Sequence, residues 1–490
     1  MLKLLACSSV SYFAYTRYAN SEEFQAGKRR SDLPDYSWED ISKHKNPEKS
    51  VWIGFKEGVY DVTHFIEHHP GGDKILLGAG NSIEPFWNLY RAHHKTHVYQ
   101  MLESMRIGNL KKGEKIMVLD DPYKNDPKRN PGMVTHGEKP FNAETPNDLL
   151  VKNPTTPNEL FFVRNHLPVP IIDPQTYRLE LVLSDDKCLE FSLDDLSSKF
   201  ELVTVKSCIQ CAGNRRADMA KHENVRGIMW NAGAIGSAEW KGVRLRDIIN
   251  YANPKANYSH AHIEAFDSDP NGPFGTNIPL SKIMDINGDV ILALEMNGEP
   301  LPLDHGFPLR LIVPGYVGVR NVKWVKRITL DDKESPLIWH RRDYKIFGNN
   351  DTIDNTDFQK RPPLYEMNVQ AAICDPLDGA FVESVEGKVT FKGYAYSGGG
   401  NEIARVDVTT DNGETWQEAE LTKDSADHKR HWSWSLWEAK ISISELHNEV
   451  CVKATDSSGN SQPRDIIPIL NFRGLLNNSW HCIKVNHKSF

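Results

Sequence analysis

Two places in the chain carry residue types suited to redox or metal chemistry. The run from Ser207 to Arg216 reads SCIQCAGNRR, two cysteines followed by small residues and two arginines. A thiolate among guanidinium groups sits in an electropositive pocket that lowers its pKa, and soft sulfur suits a metal with several sulfur ligands. A buried structural cysteine or a CxxC redox pair would use the same residues. The second place is Val51 to Gly72, VWIGFKEGVYDVTHFIEHHPGG, followed by a histidine pair at His93 and His94 behind the apolar run Phe86 to Tyr90. His69 and the second pair stand about 24 residues apart. Two imidazoles on two short helix-loop units enclosing apolar residues can clamp a haem from both faces. Both axial positions are then filled, which favours electron transfer over oxygen binding. A few surface histidines beside a turn are the plainer alternative, and His94 competes with His93 for the second position.

These groups need elements to hold them. Trp52–Ile53 and Val59–Val62 read as strands, and Thr63 is placed to cap a following helix. Pro70 would stop that helix, while Gly71 and Gly72 would let backbone approach a flat ligand. Farther on, Tyr177–Leu183 and Leu309–Val313 are strand candidates in a long mixed stretch punctuated by Pro and Gly. After about Ile346 the pattern turns to short strands: Lys388–Tyr396 alternates, Ser397 to Gly400 turns, and Ile403–Thr409 alternates again. Asp411, Asn412 and Gly413 make a hairpin turn before Trp416. Repeated short strands of this kind predict a β-sandwich.

The chain has 490 residues, too many for one hydrophobic core. It is 39% apolar and 25% charged, values of a folded protein rather than a disordered or multi-span one. A formal charge of −8 argues against nucleic acid as a partner and leaves a cationic protein partner open. Seven cysteines, at 7, 188, 208, 211, 374, 451 and 482, are an odd number at low density, and no disulfide framework is expected. No GxGxxG or phosphate-loop signature predicts a nucleotide. Met1 to Asn20 carries Lys3 and Arg17 and no acid; a mitochondrial presequence, a secretory signal and a frayed terminus all fit it. It is too short and polar for a transmembrane helix, and no integral membrane association is expected.

With GVYDVTxF and HPGG as its specific elements, the histidine-rich segment resembles cytochrome b5. That resemblance covers about 76 residues and implies His69 and His93 as ligands of haem b. FFVRNHLPVP (Phe161 to Pro170), CAGNRR, DHGFPLR (Asp304 to Arg310) and PGYVGVRNVKW (Pro314 to Trp324) together resemble the molybdopterin domain of sulfite oxidases and eukaryotic nitrate reductases. By position, the resemblance implies Cys211 as the thiolate on molybdenum. Phe162, Val163, Arg164, Asn165, His166, Asp267, His305, Arg310, Asn321, Val322 and Lys323 would hold the pterin and its phosphate. Some relatives have His where Asn321 stands. Arg164, Arg216 and Arg473 fall on the family's anion-binding positions, with Trp230 lining the pocket and Tyr344 near the metal; guanidinium forks suit a small oxyanion. Arg473 lies in NFRG, which resembles the family's NLRG segment.

The implied architecture is a multidomain α+β chain. A presequence or disordered N-terminus (1–34) precedes a cytochrome b5-like α+β haem domain (35–110) and a hinge linker (111–120). A mixed α/β molybdopterin catalytic domain of sulfite-oxidase type (121–345) and an all-β immunoglobulin-like dimerisation domain (346–490) follow. The implied cofactors are the molybdenum–molybdopterin cofactor and haem b. The implied reaction is oxidation of sulfite by oxygen-atom transfer, with electrons passing through the haem to cytochrome c in the mitochondrial intermembrane space. A homodimer is implied. Nitrate reductases carry their haem module after the molybdenum and sandwich domains, followed by a flavin domain; the haem module first predicts a sulfite oxidase instead. A fold-retaining protein without catalysis is the remaining alternative, disfavoured by the presence of Cys211, the three arginines and Tyr344.

Overall fold

The computed structural model describes residues 26–69, 72–87, 91–115, 123–183, 187–269, 272–422 and 429–487. It divides into two compact units, Met1–Lys124 and Asn125–Phe490.

The first unit is built on β1 (Asp35–Tyr36), β2 (Lys45–Asn46), β3 (Ser50–Phe55), β4 (Gly58–Asp61) and β5 (Arg106–Leu110), ordered β1-β5-β4-β3-β2. β3 and β4 form a tight hairpin in which Lys56 takes a φ of 51°, the left-handed backbone conformation such turns use. Their apolar side chains, Val51, Ile53, Phe55 and Tyr60, pack with Ile83, Trp87 and Leu102. Thr63 does not cap the helix after β4. It opens a 3-10 helix, Thr63–His68, and its hydroxyl donates to Asp61 and accepts from the Val51 N–H. That helix ends with His69 in extended conformation; Pro70 and Gly71 lie outside the described residues, as do Asn88, Leu89 and Tyr90. Order begins before Asp35: Ala26 is buried in the core, and the Gly27 N–H donates to Glu103 (2.8 Å). Asn109 accepts from the Arg30 N–H (2.8 Å) and donates to the Arg30 and Leu33 carbonyls. At the other end, Lys111 is bonded to Tyr36, and the Lys115 carbonyl accepts from the Trp38 indole. The rest of the expected linker, 116–120, lies outside the described residues.

The second unit begins with a small sheet of β6 (Val134–Glu138), β7 (Phe141–Glu144) and β8 (Val163–Arg164). A mixed sheet follows: β9 (Leu179–Val182), β10 (Cys188–Phe191), β13 (His260–Asp269), β14 (Gly272–Pro279) and β18 (Val325–Asp331), ordered β10-β9-β18-β13-β14. Another sheet orders β11 (Leu202–Gln210), β12 (Ile235–Arg244), β15 (Ile291–Met296) and β16 (Glu299–Pro300), with β17 (Arg310–Ile312) on β15. The core between these layers is apolar and continuous, including Leu179, Leu181, Val243, Ile263, Leu292, Leu311 and Ile328.

A β-sandwich completes this unit. One face orders β19 (Gln370–Asp375), β20 (Lys388–Tyr396), β24 (Ser435–Ser442) and β23 (Glu420–Thr422) as β19-β20-β24-β23. The other orders β22 (Gln417–Glu418), β21 (Ile403–Thr409), β25 (Glu449–Asp456) and β26 (His481–Lys484) as β22-β21-β25-β26. Strand limits at β20 and β21 match the alternation in the sequence, because Val389 and Phe391 on one and Val406 and Val408 on the other point into a single core. The sandwich shares a second core with β11 and β12, through Cys208, Ile235, Tyr394, Tyr396 and Trp434. Asp289 also accepts a bidentate pair from Arg430 (2.8 and 2.7 Å) and the Trp432 indole N–H (2.8 Å). One expectation is corrected here: Cys451 and Cys482 form a disulfide. They stand directly opposite each other on β25 and β26, a juxtaposition that composition and spacing do not reveal.

Candidate redox centres

In the first unit, the 3-10 helix Thr63–His68 delivers His69, and a second 3-10 helix, Arg91–His94, delivers His93. The two rings lie 6.3 Å apart between centroids, with their planes 23° from parallel. Two metal–nitrogen bonds of about 2 Å, plus about 1 Å from each nitrogen to its ring centre, span about 6 Å. One iron therefore fits between them. His93 Nδ1 lies 3.2 Å from the Trp87 carbonyl, which fixes that nitrogen as the N–H and makes Nε2 the ring's lone-pair nitrogen. His94 is exposed and its Nδ1 lies 3.1 Å from the Tyr99 hydroxyl. Phe65, Ile66, Ile75, Leu76 and Val98 pack around this region and give an apolar surround suited to a flat macrocycle.

In the second unit, β11 ends at Gln210, and Cys211 follows with its N–H on the Ala234 carbonyl (2.9 Å). The chain then turns through Arg215, at a φ of 61°, into the helix Arg216–Ala220. Cys208 and Cys211 pack into different cores. Both are free thiols, and burial pushes the Cys208 thiol up to about 12. The two arginines also part. Arg215 turns toward the sandwich, donating to the Ser479 (2.7 Å) and Trp480 (3.0 Å) carbonyls. Arg216 donates to the Arg473 (2.9 Å) and Ile228 (2.7 Å) carbonyls. A Cβ on Gly213, Gly227 or Gly474 would strike the Arg216 side chain at 2.4–2.6 Å, so glycine at these positions makes the space for it.

Cys211 borders a cleft in the second unit. Phe162, Arg164, His166, Asp267, His305, Arg310, Asn321, Lys323 and Tyr344 line the same cleft. Val163, Asn165 and Val322 are buried next to these residues but do not line it. Trp230 is also set back, fully buried in the core that includes Phe162 and Cys211. Arg164, at the end of β8, donates to Asn142 Oδ1 (3.1 Å) and the Asn165 carbonyl (2.5 Å). Arg473 reaches Asp343 at 3.5 Å, one residue from Tyr344. The Tyr344 hydroxyl lies 3.1 Å from His166 Nε2, and burial, only partly opposed by the Arg164 charge, raises the phenol above its ordinary range.

Three basic residues, His305, Arg310 and Lys323, line the cleft together. Burial lowers Lys323 to about 7, Arg310 to about 9 and His305 to about 3, the last with help from the Arg310 charge. The buried Arg310 Nε has no hydrogen-bond partner among the described residues. Grouped cations that burial disfavours, with an unused guanidinium donor among them, suit a bound anion such as a phosphate. Asn321 lines the cleft, yet its side chain is committed to backbone: Oδ1 accepts from the Val313 N–H (2.8 Å), and Nδ2 donates to the Tyr316 and Val317 carbonyls. Asp304 was not singled out in the sequence. It accepts from Arg129 (2.8 and 2.9 Å) and Asn165 (2.9 Å), and its carbonyl accepts from Lys323 (2.9 Å). Burial works to raise its carboxyl, but these partners outweigh burial and hold it low. Its place beside His305 in DHGFPLR was the available signal.

Comparison with known proteins accords with this geometry. The cytochrome b5-like haem/steroid binding domain matches residues 37–111, the oxidoreductase molybdopterin binding domain 166–339, and the Mo-co oxidoreductase dimerisation domain 361–488. The mitochondrial sulfite oxidase of Mus musculus is 46% identical over 460 residues, covering 92% of this chain and 84% of the mouse protein. That of Drosophila melanogaster is 45% identical over 489 residues, covering 96% and 85%. The nitrate reductase of Hordeum vulgare is 35% identical but spans 73% of this chain and 42% of its own length. The crystal structure of the sulfane dehydrogenase SoxCD from Paracoccus pantotrophus superposes with a TM-score of 0.59 at 25% identity, over 74% of this chain and 90% of that one. With three domain models matched in order and close to half of all residues shared along nearly the whole length, the chain belongs to the sulfite oxidase family.

Proposed function

We propose that this chain oxidises sulfite to sulfate at a molybdenum centre and passes the electrons through a b-type haem to cytochrome c. The observation that carries the reading is that Cys211, Arg164 and Tyr344 border one cleft that the basic residues His305, Arg310 and Lys323 also line. When bound, the molybdenum cofactor supplies oxygen-atom transfer and the haem supplies one-electron steps. In net terms, sulfite and one water give sulfate, two protons and two electrons, and two molecules of cytochrome c take one electron each. Cys211 is the metal's protein thiolate in this reading, and His305, Arg310 and Lys323 hold the pterin phosphate. Arg164 offers its free guanidinium edge to the substrate oxyanion. Arg216 and Arg473 add positive potential beside it, and Tyr344 donates a hydrogen bond at the reacting end. Such prearranged donors stabilise developing charge without reorganising. His69 and His93 would hold the haem iron.

The dimerisation-domain match at 361–488 supports a homodimer. The mitochondrial relatives support a mitochondrial location, and among the described residues no helix is long and apolar enough to cross a membrane. The intermembrane space is the compartment we favour, since the Cys451–Cys482 disulfide calls for oxidising surroundings. The test is direct. Sulfite should drive reduction of ferricytochrome c by the purified chain, while nitrate should not oxidise a reduced dye. The opposite pattern would assign nitrate reduction, and silence in both assays would make the chain a non-catalytic relative.

A further inference from the structure

Arg320 is fully buried, and every group it bonds is an uncharged oxygen or nitrogen. Its Nε donates to the Leu364 carbonyl (2.8 Å) and its Nη1 to the Thr276 hydroxyl. Nη1 also meets His340 Nδ1 (3.1 Å), and Nη2 meets the carbonyl of Tyr344 (3.3 Å). A guanidinium only donates, so His340 Nδ1 must accept with its lone pair and the ring proton must sit on Nε2. That nitrogen points at Glu334 Oε2, 3.0 Å away. Burial and the Arg320 charge push His340 down to about 4, which keeps this neutral tautomer in place. The result is a directed chain from Glu334 at the surface through His340 and Arg320 to the backbone of Tyr344. His340 lies in a π-helical turn, Trp339–Asp343, that runs straight into Tyr344; such widened turns often occur at functional sites.

We propose that Arg320, oriented by neutral His340, is a positioning residue that sets where the Tyr344 hydroxyl stands in the cleft. The proposal rests on the reading of Tyr344 as a substrate contact. The hydroxyl is held at its far end by His166 (3.1 Å); at the backbone end the Tyr344 carbonyl accepts from the Leu364 N–H (3.0 Å) as well as from Arg320, which also bonds the Leu364 carbonyl and so braces that pair. With both ends fixed, the ring has one place to stand. Losing the backbone anchor lets the hydroxyl drift, and a displacement of about 1 Å at a reacting group can cost up to about a hundredfold in rate.

The test uses the full-length holoenzyme and compares His340→Phe with His340→Gln. Phenylalanine fills the space but cannot accept from Arg320; glutamine offers one acceptor for Arg320 and one donor for Glu334. Sulfite kcat/KM should fall about tenfold in His340→Phe and recover to within about threefold in His340→Gln. A space-filling role predicts the reverse order. In a Tyr344→Phe background, His340→Phe should cost nothing further, because residues acting through one group are not additive. Should His340→Phe fail to fold, Glu334→Ala at the half-exposed outer end should lower kcat/KM about twofold to threefold, and that loss should vanish in the Tyr344→Phe background. Losses that multiply in the double variant, or a glutamine variant no better than phenylalanine, would overturn the positioning role while leaving Tyr344 in the site. A silent Tyr344→Phe would remove the substrate-contact reading, and this proposal with it.

Discussion

Replacing Arg164 by Gln isolates the charge that the cleft presents to a small oxyanion. Arg164 lines the cleft with Cys211 and Tyr344, and its Nη1 is tied to Asn142 Oδ1 (3.1 Å) and the Asn165 carbonyl (2.5 Å). Those tethers point the other guanidinium edge inward. Glutamine leaves little unsatisfied behind it, since Asn142 Oδ1 still accepts from the Asn165 N–H (3.1 Å). The structural cost should be about 2 kcal/mol, from the two part-buried guanidinium hydrogen bonds lost. The functional cost is larger. Truncating one partner of a buried charged hydrogen bond costs about 2–5 kcal/mol, roughly 30- to 4,000-fold in affinity. Arg216 and Arg473 remain nearby, so the lower end applies: kcat/KM for sulfite should drop about 30- to 100-fold, with most of the loss in KM. Steady-state reduction of ferricytochrome c over a sulfite series measures this, with thermal melting as the control for folding. Competitive inhibition by sulfate should weaken in parallel, because product and substrate share the oxyanion. An unchanged specificity constant would place Arg164 outside the substrate site and refute the reasoning.

Cys211→Ser should abolish sulfite oxidation while leaving the haem spectrum intact, because hydroxyl oxygen is a poor replacement for a soft thiolate; near-normal turnover would remove the ligand assignment. Cys208→Ser should be mild in turnover, since that thiol packs into another core. Starting the chain at Asp35 instead of Ala26 should lower the melting temperature of the haem module by roughly 10 °C or more, given about four lost hydrogen bonds at about 1 kcal/mol each; equal melting of the two forms would show that the arm contributes nothing. Arg473→Met should raise the sulfite KM without altering the dimer, and light scattering with kinetics would expose any other pattern. Cys482→Ser should destabilise the second unit by about 3–4 kcal/mol, the closure entropy of a bridge between residues 31 apart; an unchanged denaturant midpoint would argue that the two thiols are not joined.

Much of this protein is already readable in its residue order. Local patterns do not depend on distant packing: the alternation of Lys388–Tyr396 and Ile403–Thr409 gives strands in any sheet. The motif runs around His69, Cys211, His305 and Lys323 likewise carry their chemistry in residue type and spacing. Tertiary structure decided what spacing leaves open. CAGNRR presents two arginines as equals, yet the left-handed turn at Arg215 sends one to the Ser479 and Trp480 carbonyls and the next to those of Arg473 and Ile228. His93 and His94 are neighbours with the same chemistry, and only the fold brings His93 to 6.3 Å from His69 while His94 pairs with Tyr99. Asn321 occupies a cleft position, but backbone groups from its own turn take up its side chain. Asp304 matters through Arg129, 175 residues away, and Cys451 meets Cys482 only because β25 and β26 pair in one register. In each case the deciding contact is set by the direction of a side chain or the register of a strand. Those follow from closing the whole core, and no local stretch of residues contains them.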